Sequence, residues 1–218
     1  MDSDKPPVNT EIQHLIPNLL EVSLATVWAN RTDWFFGIDM GIYYDAEKSP
    51  LVPDGFLSLG VERFIGEEGR NHYVLWEEDW IVPTLVLEVV CDPYTVDYER
   101  KKADYAALGI QYYGIYVPSR RYRRRPTLEV FQWMNGDYSL MPGDRILLPG
   151  IGLALGADQG SYLGWEREWL YWFDRAGNRL PSPETLVKQE RQRAIATAQE
   201  LQAIRKKLRR RGIDPDTL

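Results

Sequence analysis

Apolar residues recur at helical spacing near the start of the chain, at Ile12, Leu15, Ile16, Leu19, Leu20, Val22, Leu24 and Val27. This predicts a helix over residues 11–30 with a broad apolar face. Pro17 falls inside it and is expected to kink the helix or begin its main part, because a proline ring lacks the N–H that the preceding turn needs. Asn30-Arg31-Thr32-Asp33 closes it. The period then changes to two. Trp34, Phe36, Ile38, Met40, Ile42 and Tyr44 occupy alternate positions, which predicts one strand over residues 34–44. After a turn-like segment at residues 45–50, a second strand is predicted over residues 51–61. Residues 62–80 are polar and acidic, carry Gly66 and Gly69, and read as a loop or short hairpin.

Leu85-Val86-Leu87-Glu88-Val89-Val90 is almost continuously apolar and is bounded by Pro83 and Asp92-Pro93. It is predicted to be a central strand covered on both faces, with one acid in it. Asp97 to Leu108 has a helical pattern, with Asp97 as the N-cap and Gly109 just past the end. Ile110 to Val117 reads as a strand. Leu128 to Trp133 alternates, and Asn135-Gly136 after it signals a hairpin. Ile146 to Leu155 completes a hairpin-like region. Trp165, Trp169, Tyr171, Trp172 and Phe173 mark a short aromatic strand, with Ala176-Gly177-Asn178 as its turn. Beyond Pro181-Ser182-Pro183, residues 184–211 hold neither proline nor glycine and predict one long helix, stopped by Gly212 and Pro215. Val187, Ala194, Ala198, Leu201 and Leu208 fall near heptad spacing there, interrupted by Arg191 and Arg205, which suits a coiled-coil or docking face. The expected architecture is α/β, a mixed sheet flanked by helices with a long C-terminal helical extension. The expected division is a disordered N-terminus (1–10), a folded domain (11–180) and a charged C-terminal helix (181–218).

The chain has 218 residues, of which 44% are hydrophobic. That is enough for a sizeable core and excludes wholesale disorder. No run approaches the roughly 18 apolar residues of a membrane span, and Met1 to Pro7 has no apolar segment of the signal-peptide kind. The expectation is a cytoplasmic protein with no membrane partner. One cysteine and two histidines leave no Cys-based zinc site, so a metal would be held mainly by carboxylate oxygens, which suits a hard cation such as Mg²⁺. The net charge of −6 argues against a protein that coats nucleic acid, but the charge is uneven. Residues 184–211 carry nine Lys or Arg against three acids, a local +6 that leaves −12 on the rest. A second basic cluster comprises Arg120, Arg121, Arg123, Arg124 and Arg125. Such runs either keep a surface solvated or contact phosphate.

Glu88 is the most informative residue. An ionised carboxylate inside a buried strand is costly unless it is paired or binds a metal. Thr84, Val86 and Glu88 share one face of that strand. Asp54 follows Pro53 in the neighbouring predicted strand, so the two acids can converge if the strands pair. Two carboxylates brought together repel, and a divalent cation removes the repulsion. Lys101, early in the next helix with Lys102 beside it, could orient a water or stabilise charge on a phosphate. The plainer alternatives are that Glu88 forms a structural ion pair with Lys or Arg, that Pro53-Asp54 is only a turn pair, and that the lysines are solvated. Cys91 has no histidine near it in sequence and reads as a small, partly buried side chain rather than a nucleophile.

The order Val52-Pro53-Asp54, then Pro83-Thr84-Leu85-Val86-Leu87-Glu88-Val89-Val90, then Lys101 four residues before Tyr105, then Ala106-Ala107-Leu108-Gly109-Ile110-Gln111-Tyr112-Tyr113 resembles the Uma2 family. That family belongs to the PD-(D/E)XK, or restriction-endonuclease-like, superfamily. The likeness runs from about residue 12 to residue 175, and the Gly37-Ile38-Asp39-Met40 strand and the charged C-terminal helix also resemble one branch of the family. The resemblance implies a restriction-endonuclease-like fold and Mg²⁺- or Mn²⁺-dependent hydrolysis of phosphodiester bonds in nucleic acid, with DNA as the expected substrate. Carried over, Asp54, Glu88 and the backbone carbonyl of Val89 are the metal ligands, and Lys101 is the catalytic lysine. The usual superfamily lysine would stand at Val90, and here the following helix supplies it. Lys102, Arg120, Arg121 and Arg123 are expected to contact nucleic acid, and the C-terminal helix to support a homodimer. The family often has Asp at Thr84 and Ser at Cys91, and its Tyr-Trp pair reads Tyr113-Gly114 here. Thr84 thereby removes an acid expected near the site. It is the feature that favours the alternative, a catalytically inert nuclease-fold module that binds nucleic acid or a protein partner.

Overall fold

A computed structural model of the chain describes residues 10–91, 97–118 and 126–210, with the backbone alone at 97–99. The expectations for residues 1–9, for the side chain of Asp97 and for Arg120, Arg121, Arg123, Arg124 and Arg125 lie outside the described residues. The chain divides into two units, Met1–Leu180 and Pro181–Leu218.

Helix α1 (Glu11–Val27) starts at Thr10, whose hydroxyl accepts from the Gln13 N–H while the Gln13 side chain accepts from the Thr10 N–H. This reciprocal pair satisfies two of the donors that a helix start leaves free. Ile12, Ile16, Leu19, Leu20 and Leu24 form its buried face. Pro17 is also buried, and the helix runs through it.

The main sheet has six strands in the order β1-β3-β5-β6-β7-β8: Trp34–Ile38, Gly55–Leu59, Leu85–Val89, Tyr112–Tyr116, Leu128–Met134 and Asp137–Leu140. Only the β5–β6 pair is parallel, so the sheet is mixed. The parallel pair is joined through helix α2 (Asp97–Ala107), the crossover that parallel neighbours require. Asn135 and Gly136 both have positive φ, 53° and 94°, which is the two-residue hairpin turn their sequence predicts. Two apolar layers cover the sheet. One joins α1 to Leu57, Leu85, Leu87 and Val89 and to a second, antiparallel sheet of β9 (Arg145–Leu148), β10 (Leu153–Tyr162) and β11 (Trp165–Phe173). The other holds Phe56, Val86, Val90, Tyr113 and Phe131 with Tyr105 of α2. All five residues of β5 are buried, so alternation puts Leu85, Leu87 and Val89 in the first layer and Val86 and Glu88 toward the second.

The single strand expected over residues 34–44 is two. β1 ends at Ile38, Asp39 takes φ +49°, and the chain resumes as β2 (Ile42–Tyr43), which pairs in parallel with β4 (Tyr73–Val74). The apolar alternation continues through the break, but the partners change. Trp34 and Phe36 belong to the first layer, and Ile42 to the second. Residues 62–80, expected as a loop or short hairpin, supply β4. Tyr73 is fully buried there, stacked on Phe35 and edge-on to Phe56. Arg70 holds that segment by a two-pronged pair with the buried Glu78, at 2.5 and 2.9 Å.

The second unit carries α3 (Pro183–Arg210). Ser182 accepts from the Thr185 N–H at its start, and no residue of the helix is buried. No described helix is long and apolar enough to cross a membrane.

Candidate active site

The register of β3 against β5 pairs Gly55 with Leu87. One step beyond, antiparallel geometry sets Asp54 across from Glu88, where β-carbons are about 5 Å apart. Asp54 also shares its side of the sheet with Phe56, two residues on, which packs in the Glu88 layer. The backbone holds it there. The Val89 N–H donates to Asp54 Oδ2 at 2.5 Å, and the Asp54 carbonyl accepts from the Asp39 N–H at 3.3 Å. Asp54 is 8% exposed and Glu88 3%.

Helix α2 brings the remaining groups. Lys101 and Tyr105 are four residues apart and so lie on one face. The Lys101 ammonium donates to Glu88 Oε1 at 2.9 Å, to Oε2 at 2.8 Å and to the Val52 carbonyl at 3.4 Å. The Tyr105 hydroxyl donates to Glu88 Oε1 at 2.7 Å. One carboxylate buried in the central strand thus takes three hydrogen bonds from a single helix face. Asp54, Glu88 and Lys101 come together. Lys102 turns elsewhere, its ammonium 3.8 Å from the centre of the Phe131 ring.

Burial is the main cause that pushes the Asp54 carboxyl up to about 7, and the charge of Glu88 is the second. Asp39 adds to the rise, while the Val89 N–H and the Lys101 ammonium oppose it. Burial, then the Glu88 charge, also push the Tyr105 hydroxyl well above its usual value, so it stays a proton donor to Glu88. The Asp54 and Glu88 charges oppose one another across the cluster, and the Lys101 ammonium offsets part of that repulsion.

Two residues of the cluster go unmarked by the sequence pattern. Tyr105 enters there only as a spacing marker after Lys101, though a hydroxyl one helical turn after a site lysine is a legible signal. Asp39 reads in sequence as the polar member of a strand. It sits at the break after β1, its charge acts on Asp54, and its carboxylate lies 3.8 Å from His14 Nδ1. Thr84, expected near the site, is at the opposite end of β5 from Glu88, about 13 Å away at 3.3 Å per residue. Its N–H and carbonyl are used in ladder bonds to Leu57 and Tyr112. An acid at position 84 would therefore be no part of this cluster. Cys91 is partly buried and accepts from the Thr10 hydroxyl at 3.1 Å, in keeping with a packing role.

A hard divalent cation fits this donor set. Among the described residues Asp54 and Glu88 present carboxylate oxygens, the hard donors that such an ion prefers. A cation, the Lys101 ammonium, already sits against both oxygens of Glu88. Among the described residues, no group of three or more His, Cys, Asp or Glu could hold a metal ion. A site of two carboxylates is how Mg²⁺ is commonly held, the rest of its shell coming from water and substrate phosphate.

Tyr105→Phe removes one donor from a buried carboxylate that Lys101 still holds. It is expected to cost about 1.5–3 kcal/mol, as for a hydrogen bond to a charged group, read from urea unfolding at pH 7. Unchanged stability would mean that the hydroxyl contributes nothing to holding Glu88.

Three comparisons bear on the chain. A family model, Uma2, described as "Putative restriction endonuclease", matches residues 3–156. Among solved structures, a crystal structure titled as a "putative nuclease" of DUF820 from Anabaena variabilis is 15% identical, covering 66% of this chain and 74% of that one, with a TM-score of 0.45. No curated protein matches.

Proposed function

Because the chain belongs to the Uma2 family, we propose that it is a divalent-metal-dependent endonuclease that hydrolyses phosphodiester bonds in DNA. Asp54, Glu88 and the Val89 carbonyl would hold Mg²⁺ or Mn²⁺, and Lys101 would be the amine at the reacting phosphate. The observation that carries this reading is the convergence of two buried acids and one lysine from three separate segments.

When bound, the ion supplies positive charge to the phosphate oxygens. The chain's own groups do the rest. The Val89 N–H fixes Asp54 from behind, and the Tyr105 hydroxyl fixes Glu88 Oε1. Lys101 keeps three N–H donors on a side chain that is 27% exposed, so its ammonium can leave Glu88 and donate to a water or a phosphate oxygen. Burial of both acids keeps bulk water from screening these interactions.

The test is a metal titration of the full chain at pH 8 with plasmid DNA and, separately, RNA. Mg²⁺ or Mn²⁺ at about ten times its Kd is expected to add about 1.4 kcal/mol of stability, and cleavage is expected to follow metal occupancy. DNA is expected to be cut and RNA spared. One observation favours a second reading: Lys101 bridges both Glu88 oxygens, as a purely structural ion pair would. Absence of any thermal shift with either metal at pH 8 would select that reading, an inert nuclease-fold module.

A further inference from the structure

Helix α3 spans 28 residues, about 42 Å at 1.5 Å per residue. Its charge is concentrated at one end. Arg205, Lys206, Lys207, Arg209 and Arg210 fall within six consecutive residues with no acid among them; Glu184, Glu190 and Glu200 precede them in the chain, and Asp214 and Asp216 follow. At 100° per residue the five cations spread over about 200° of the helix surface, and Leu201, Ile204 and Leu208 occupy the remaining sector. The end of the helix therefore has a wide cationic face and a narrow apolar one.

Two ordinary explanations fall short. Cations in the last turn complement the helix dipole, but one or two suffice, since the effect is about 0.3–1 kcal/mol each and fades within a turn. A two-stranded seam through Val187, Ala194, Leu201 and Leu208 would be broken by Arg191 and Arg205 on one side and by Glu190 and Thr197 on the other. A parallel pair would also crowd the five cations of one copy against those of the next. Charge of this sign and density suits a polyanion. The chain outside residues 184–211 carries −12, which repels a phosphate backbone.

We infer that residues 205–210 of α3 form a nucleic-acid contact that binds the phosphates of a duplex backbone without reading its sequence. The inference rests on the reading that the chain acts on nucleic acid, and it adds a binding element separate from the acidic cluster. Arginine and lysine at this density grip phosphate by releasing condensed counterions, so the contact is salt-sensitive and indifferent to base sequence.

The test measures binding, not turnover. The full chain in EDTA is titrated onto a fluorescent duplex of roughly 25 base pairs over a range of salt concentrations. It is compared with the variant Arg205→Gln, Lys206→Gln, Lys207→Gln, Arg209→Gln, Arg210→Gln. Every phosphate that the variant leaves unneutralised lowers the slope of log K against log salt by about 0.9, so a fall of about 2–4 units and at least about tenfold weaker binding near 0.1 M salt are expected. A second variant, Lys206→Arg with Lys207→Arg, keeps the charge and is expected to keep the slope. An unchanged slope in the five-Gln variant overturns the inference. So does a wild-type dimer that the variant turns into a monomer, because the weaker binding would then come from broken pairing. Absence of cleavage by a wild type that still binds with the steep slope would sink the nuclease reading and leave this contact standing.

Discussion

Asp54→Asn is expected to lower metal-dependent cleavage by about a thousandfold or more while making the protein more stable at pH 8. The first half follows from losing one of two carboxylate ligands, which removes several kcal/mol of charge stabilisation at the phosphate. The second half follows from the cost of ionising Asp54 where it sits. Its folded pKa, about 7, lies above the usual 3.8, chiefly through burial and then through the charge of Glu88. The folded state therefore keeps a proton that the unfolded state has already released. Stability falls as pH rises from about 4 to about 7 and levels off above that. At about 1.4 kcal/mol per pH unit across roughly three units, the loss reaches about 4 kcal/mol. Asparagine carries no charge at any pH, and its side-chain oxygen can still accept from the Val89 N–H, so the variant should lack this slope. Urea midpoints at pH 5 and pH 8, set beside plasmid nicking with Mg²⁺, measure both halves. A variant equally destabilised at both pH values would show that Asp54 is a structural acceptor and not a repelled site acid.

The site's cost in stability explains why its main members are legible in the sequence. An acid in an otherwise apolar run is visible because nothing about packing asks for it, and Glu88 lies in such a run between Leu87 and Val89. Asp54 and Lys101 follow from family order, since nothing local marks a Pro-Asp pair or a helical lysine as chemical. The central strand, the hairpin at Asn135-Gly136 and the C-terminal helix are equally plain, because each depends on local pattern or turn chemistry. The break at Asp39 is not. Apolar alternation records that a residue is buried, not which layer buries it, and Trp34 and Ile42 satisfy the same pattern against different cores. β4 escapes because two residues give no period, and it exists through the long-range pairing of Tyr73 with Ile42. Tyr105 escapes because its meaning lies in the carboxylate it reaches, 17 positions away along the chain.

Lys101→Met is expected to separate turnover from metal binding. The Lys101 ammonium lies 2.8 and 2.9 Å from the two Glu88 oxygens, where it competes with any cation that would use that carboxylate. Removing it frees Glu88, so metal affinity should rise, by about tenfold for one competing charge removed. The same ammonium also lowers the Asp54 pKa. Its loss strengthens proton competition at Asp54 near neutral pH and would mask the gain. The comparison is therefore made at pH 9, above the raised pKa of Asp54, where that acid is ionised in both proteins. Turnover should move the opposite way. A positioned proton-transfer or charge-neutralising group typically contributes about 10²–10⁴-fold, and methionine supplies neither proton nor charge. Tighter metal binding with slower cleavage is the signature of a lysine that works on the substrate and only rests on Glu88. If metal affinity instead falls together with activity, Lys101 serves to hold Glu88 in place, and the catalytic assignment fails.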